Sequence, residues 1–141
     1  MLKILIAIDD SPSSLRAVDY VCRRAAAFKE VPELHLINAQ PPVHGTISTF
    51  IDASQLKHIH HEEGVKELAA AKARLDAAGF AHHDHIFVGD PAEIISRHAN
   101  EQGYHEIVMG TRGQNRIAHM LLGSVSTKVL DLANMPVILV K

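Results

Sequence analysis

Short apolar runs alternate with longer amphipathic stretches along the whole chain. Five runs have the length and the aliphatic content of buried strands, at 2–9, 34–39, 83–88, 105–109 and 136–140. Four stretches between them have helical spacing of apolar residues, at 12–28, 53–78, 90–103 and 124–133. Such alternation is typical of βαβ units. Right-handed crossovers then predict an α/β fold, an open five-stranded parallel sheet of order 3-2-1-4-5 with four helices on both faces.

The size and charge of the chain limit what it can do. Its 141 residues suit a single domain, 1–141. A net charge of −2 gives no electrostatic case for binding nucleic acid or an anionic membrane. No apolar run is long enough to span a bilayer, and Asp9 and Asp10 end the first run too early for a secretion signal. The single cysteine fits a reducing compartment, so we expect a cytoplasmic protein without a membrane partner.

Residues at the predicted helix starts carry capping signals. Ser11 followed by Pro12 predicts an N-cap and a first-turn proline. The sequence Asp90-Pro91-Ala92-Glu93 predicts a capping box. Gly64 weakens the first half of the second helix and predicts that the helix begins late.

The segment from Gly110 to Ser126 joins the fourth strand to the last helix. In open α/β sheets, ligands bind beyond the carboxyl ends of strands, which is where this segment begins. Its glycines allow close approach of backbone to an anion or a positive φ, and the helix that begins at Ser124 offers free N–H groups. Together with the helix dipole and the guanidinium groups of Arg112 and Arg116, these features predict a phosphate site.

The same residues also suit an ordinary turn followed by a capped helix, and the residues alone leave both interpretations open. Other nucleotide motifs are absent from the sequence. It contains no GxxxxGK[ST] loop, and no GxGxxG follows the first strand.

The glycines and serine of this segment follow the pattern Gly-x2-Gly-x9-Gly-Ser, as Gly110, Gly113, Gly123 and Ser124. In this pattern the chain resembles the universal stress protein family. The resemblance covers essentially the whole sequence. It includes Asp9-Asp10-Ser11 after the first strand, the Leu34–Asn38 segment of the second strand, and the ending Pro136-Val137-Ile138-Leu139-Val140.

The resemblance implies a site for an adenine nucleotide, ATP or AMP, with Mg²⁺ accompanying ATP. Asp9 would accept hydrogen bonds from the ribose hydroxyls, the backbone of Leu36 would contact the adenine edge, and Ala7 would line the same pocket. Met109 and Gly110 would lie beside the sugar and the first phosphate. The remaining phosphate oxygens would be held by Gly113, Gly123, Ser124, Val125 and Ser126.

One residue departs from the family pattern. Asp10 stands where glycine is commoner, and its charge would reduce nucleotide affinity if it faced the phosphates.

Eleven histidines are many for this length, and two groups of them are close in sequence. His58, His60 and His61 form one, and His82, His83 and His85 around Asp84 form the other. Imidazole and carboxylate suit zinc, but His82 and His83 would point to opposite faces of a strand. We therefore expect surface histidines and no metal site. The role of His119, within the glycine loop, is left open.

The last strand is apolar throughout and lies at a sheet edge in the expected order. Pairing of residues 136–140 with a second copy would cover it, as in similar family members, so we expect a homodimer.

The first functional hypothesis is a regulatory stress-response protein without catalytic residues. One alternative is an enzyme of the related α/β group that uses ATP to activate a substrate or slowly hydrolyses ATP. The other is a scaffold in which the loop is structural.

Overall fold

The computed structural model describes residues 1–42, 51–113 and 121–141. The strands within them are β1 (Lys3–Ala7), β2 (Glu33–Gln40), β3 (His82–Val88), β4 (Glu106–Gly110) and β5 (Val137–Val140). The helices are α1 (Pro12–Ala25), α2 (Ala53–Ala77), α3 (Pro91–Glu101) and α4 (Ser124–Leu132). Most of the predicted loop at 40–52 lies outside the described residues, as do Arg116 and His119.

The five strands form one parallel sheet in the order β3-β2-β1-β4-β5, which confirms the predicted fold. β1 is central, and Ile6 pairs with Leu36 on one side and with Val108 on the other. The chain moves outward from β1 in opposite directions through β2 and β4. The connections that leave the carboxyl ends of β1 and β4 therefore diverge and leave a crevice between them.

Alternation along the strands divides the core into two layers. Ile4, Ile6 and Leu36 pack with α1 and α2 on one face of the sheet. Leu5, Ile37 and their neighbours pack with α3 and α4 on the other face. Because successive side chains of a strand point to opposite faces, apolar residues at nearly every strand position are explained by helices on both sides.

The helix ends confirm some of the predicted capping and correct the rest. Ser11 Oγ accepts a hydrogen bond from Ser14 N–H at 3.2 Å, as an N-cap should. The Asp90 side chain accepts from Glu93 N–H at 3.1 Å, but Glu93 Oε1 accepts from Lys128 Nζ, so only half of the predicted capping box forms.

The prediction that α1 ends near Phe28 is wrong, because the helix ends at Ala25. The next residues form i→i+3 bonds, with Phe28 N–H donating to the carbonyl of Ala25. These short-range bonds replace the last helical turn.

Gly64 does not delay the start of α2, which begins at Ala53. Instead it lets the helix approach β3, because a Cβ at Gly64 would lie 2.5 Å from Cγ2 of Ile86.

Within the described ranges, no helix combines the length and the apolar character that crossing a membrane requires.

Candidate functional site

A cavity of about 230 Å³ opens at the crevice between the carboxyl ends of β1 and β4. The structure brings ten of the eleven predicted site residues to its wall. They are Ala7, Asp9, Met109, Gly110, Arg112, Gly113, Gly123, Ser124, Val125 and Ser126. The residues up to Asp9 come from the end of β1, and those from Met109 to Gly113 come from the end of β4 and the segment after it. Those from Gly123 to Ser126 come from the start of α4.

Leu36 is not among the lining residues. Its side chain is completely buried in the core layer beneath α1 and α2. The next strand positions on the opposite face, Ile37 and Ala39, line the cavity. Strand alternation thus places the side chain of Leu36 away from the cavity, while its backbone lies beside Ile37.

The N-terminus of α4 points its backbone at this cavity. The other helices of the described ranges carry side-chain caps, from Ser11, Asp52 and Asp90, whereas α4 follows Gly123 with no side-chain cap. Its first intrahelical bond runs from Thr127 N–H to the Gly123 carbonyl at 3.1 Å. The N–H groups of the three preceding residues, Ser124 to Ser126, therefore have no intrahelical acceptor, and the positive end of the helix dipole lies with them.

The two serines of this turn have different surroundings. Ser126 is buried, and its hydroxyl lies 3.1 Å from the Gly110 carbonyl and 3.0 Å from that of Thr111, to which it donates. This hydroxyl ties α4 to the end of β4. Ser124 is exposed at the cavity. The Ser126 hydroxyl is thus engaged within the protein, which leaves Ser124 as the exposed serine at the cavity.

The glycines of the motif serve different purposes. None of Gly110, Gly113 and Gly123 has the positive φ that the sequence allowed. A Cβ at Gly110 would lie 2.7 Å from the carbonyl carbon of Ser13, so Gly110 lets α1 pack directly against β4. A Cβ at Gly123 would meet its neighbours no closer than 3.4 Å, an ordinary contact distance.

Gly113 makes room for the carboxylate of Asp9. A Cβ at Gly113 would lie 2.8 Å from Asp9 Oδ2. The other oxygen, Oδ1, accepts a hydrogen bond from Ser11 N–H at 3.1 Å. The absence of a side chain at Gly113 thus keeps the Asp9 carboxylate at the cavity wall.

Asp10 has a φ of 64°, in the left-handed region that glycine adopts most easily. Glycine would adopt this φ without strain, which is a conformational reason to expect glycine here. Asp10 is exposed and is not among the residues that line the cavity.

Glu67 of α2 also lines the cavity, although it was not predicted as a site residue. Its Oε2 accepts hydrogen bonds from Asn38 Nδ2 at 2.7 Å and from Gln40 Nε2 at 3.1 Å. Burial raises the pKa of the Glu67 carboxyl, and the nearby charge of Asp9 raises it further. A second carboxyl group thus lies in the wall, on a helix far from the glycine motif in sequence.

The fold agrees with the comparison to known proteins. The model of the universal stress protein family matches residues 1–141. The chain belongs to this family. One relative is universal stress protein YxiE of Bacillus subtilis, 33% identical over an alignment that covers 99% of this chain and 98% of the relative.

Solved structures of the family superpose over nearly the whole chain. MJ0577 of Methanocaldococcus jannaschii has a TM-score of 0.82 and 31% identity, covering 99% of this chain and 94% of that one. A universal stress protein solved in complex with cAMP has a TM-score of 0.72 and 28% identity, covering 99% and 97% of the two chains.

Proposed function

We propose that this universal stress protein binds an adenine nucleotide, AMP or ATP, in the cavity and acts as a dimeric regulator in the cytoplasm. The observation that carries the proposal is the uncapped N-terminus of α4, which shares one cavity with a carboxylate and apolar strand residues. A nucleotide needs the same three features, for its phosphate, its ribose and its base.

The phosphate binds at the α4 end. The N–H groups of Ser124, Val125 and Ser126 donate to phosphate oxygens together with the Ser124 hydroxyl, and the helix dipole favours the negative charge. Arg112, at the same wall, adds a positive charge. The backbone of Gly110, Gly113 and Gly123 completes the phosphate end, and Mg²⁺ accompanies the longer phosphate chain when ATP is bound.

The base and the ribose occupy the part of the cavity that the sheet forms. Ala7, Ile37 and Met109 give it an apolar surface suited to a purine ring, and backbone at Leu36 contacts the adenine edge. Asp9 accepts from the ribose hydroxyls. The relative that was solved with cAMP supports an adenine nucleotide as the ligand.

The dimer forms through β5. Among residues 1–42, 51–113 and 121–141, β5 pairs with β4 along one edge and with no strand along the other, and its four apolar residues are half-buried. A second copy of residues 136–140 would pair with the remaining edge and cover these side chains. Light scattering coupled to size exclusion is expected to give twice the 15.4 kDa subunit mass, and a single-subunit mass at micromolar concentration would contradict the dimer.

Calorimetric titration tests the nucleotide proposal with a matched pair of variants. AMP and Mg·ATP are titrated into the wild-type protein, Ser124→Ala and Thr127→Val. Thr127 lies in the same helical turn, but its hydroxyl donates to the Gly123 carbonyl and does not line the cavity. Ser124→Ala should weaken binding and Thr127→Val should not. Equal losses in both would show that the proposed phosphate position is wrong.

Incubation with labelled ATP and analysis of its products separates the regulatory role from an enzymatic one. A regulator returns ATP unchanged over many binding lifetimes. Sustained release of ADP, or of pyrophosphate with a transferred adenylate, would favour the enzymes considered from the sequence.

A further inference from the structure

A cluster of aromatic and imidazole rings lies on the sheet face covered by α3. Its members are His35, His83, His85, Phe87, His98 and Tyr104. The parallel register places His35 of β2 directly beside His83 of β3. Glu33, two residues before His35, shares its face. None of Glu33, His35 and His83 lines the nucleotide cavity.

We propose that Glu33, His35 and His83 form a binding site for a divalent transition-metal ion such as Zn²⁺. One ligand atom from each residue lies within 4.8 Å of the other two. Glu33 Oε1 and His35 Nε2 are 2.7 Å apart, so these two atoms already face each other. Two imidazoles and one carboxylate are a ligand set that proteins use for zinc and for other first-row transition metals.

Small movements convert this arrangement into a metal site. Bonds of about 2.1 Å to a tetrahedral ion separate neighbouring ligand atoms by about 3.4 Å. The Glu33–His35 pair must therefore open slightly as the ion replaces the proton that they share. The exposed ring of His83 stacks on that of His35, with 4.6 Å between the centroids, and must turn from this stack to direct a nitrogen at the ion; a water molecule can take the fourth position.

His85 orients the His35 ring. His35 Nδ1 lies 2.8 Å from His85 Nε2. When Nε2 of His35 binds a metal ion, its ring proton must be on Nδ1, where it is donated to His85. Tyr104 packs against the same ring in a T-shaped arrangement, with 5.0 Å between the centroids. Metal-binding histidines commonly have such a partner for their second nitrogen, which makes His85 a positioning residue.

His82, a third histidine of the group that stands out in the sequence, is arranged differently from His83 and His85. His82 points to the opposite face of the sheet, as predicted, and its two ring nitrogens contact separate carboxylates, Asp84 at 2.8 Å and Asp76 at 2.9 Å. Lys72 Nζ lies 2.9 Å from Asp84 Oδ2 and already neutralises that charge. The side chains around His82 therefore do not converge on one point, unlike those around His83. The expectation of no metal site rested on His82 and His83, which point to opposite faces of a strand. It did not consider His35, which pairs with His83 only through the register between β2 and β3.

Zinc titration of the chelator-treated, full-length protein tests the site. Calorimetry with ZnCl₂ is performed on the wild type, on His83→Ala and on His61→Ala, a control that removes an exposed histidine of α2. We expect a saturable site in the wild type, a loss of affinity of more than about tenfold in His83→Ala and no loss in His61→Ala. Equal affinity in the wild type and His83→Ala, or no saturable site in the wild type, would overturn the proposal.

Two further variants separate a metal site from a structural cluster. Glu33→Gln removes the carboxylate at a half-buried position and should weaken zinc binding as His83→Ala does. His85→Phe keeps a ring in the stack but removes the acceptor, and should weaken zinc binding by about 10–100-fold without abolishing it. Neither variant should change nucleotide affinity, and MgCl₂ should give no signal that depends on Glu33. If zinc binding is unchanged in Glu33→Gln, the assignment of the ligands is wrong.

Discussion

Replacement of Gly110 by alanine should destabilise the fold far more than the same change at Gly123. The added Cβ at Gly110 lies 2.7 Å from the Ser13 carbonyl carbon and 2.8 Å from Ser13 Cβ. The end of a flexible side chain can avoid such a clash by changing its rotamer, but the main-chain atoms of a packed helix cannot. The whole of α1 must therefore shift away from the sheet. Overpacking of this kind costs about 1–3 kcal/mol, and a clash with backbone belongs at the upper end.

Gly123→Ala is the matched control within the same motif. Its Cβ would meet the carbonyl oxygen of Thr111 at 3.4 Å, which is ordinary contact, and the φ of Gly123 is −75°. Only the preference for glycine over alanine at an N-cap is lost, which costs about 0.5–1 kcal/mol.

Urea denaturation measures both free energies of unfolding by linear extrapolation. With a urea dependence of about 2 kcal/mol per molar, Gly110→Ala should lower the midpoint by about 1.5 M and Gly123→Ala by less than about 0.5 M. Equal midpoints for the two variants would refute the view that Gly110 is required for the packing of α1.

Four other changes test separate parts of the site. Asp10→Gly should raise the free energy of unfolding by about 0.5–1 kcal/mol, because glycine adopts a left-handed φ without strain; an unchanged urea midpoint would contradict this. Glu67→Gln should stabilise the protein at neutral pH, because it keeps an oxygen acceptor and removes a desolvated charge. The raised pKa of Glu67 means that the wild type sheds this charge as pH falls, so the gain should shrink in acid, and a pH-independent gain would argue against the charge as its cause. Ser124→Ala should weaken nucleotide binding by about 1.5–3 kcal/mol in calorimetry, and a loss near zero would mean that only backbone is used there. Gly113→Val should obstruct the phosphates and displace the Asp9 carboxylate while the fold persists; a folded variant of unchanged affinity would contradict the loop geometry.

The sequence was sufficient for the order of elements and for most of the cavity wall. Apolar strands alternating with helices leave few topologies, and the wall is built largely from strand ends and from the single segment around Gly110 and Ser124. Such features are local in sequence, so spacing and residue type reveal them.

The contacts that the sequence missed join distant segments. Glu67 reaches the cavity only because α2 packs over the end of β2, where Asn38 and Gln40 bind it. His35 meets His83 only in the observed register of β2 and β3. Side-chain register between elements depends on the complete packing of the domain, which hydrophobic periodicity does not specify.

Mass spectrometry of the natively purified protein tests the central claim most directly. Spectra are recorded as purified and again after addition of AMP or Mg·ATP. The account predicts a dimer that carries one adenine nucleotide per subunit, either retained from the cell or gained on addition. Subunits that stay at the mass of the bare polypeptide under every one of these conditions would contradict it.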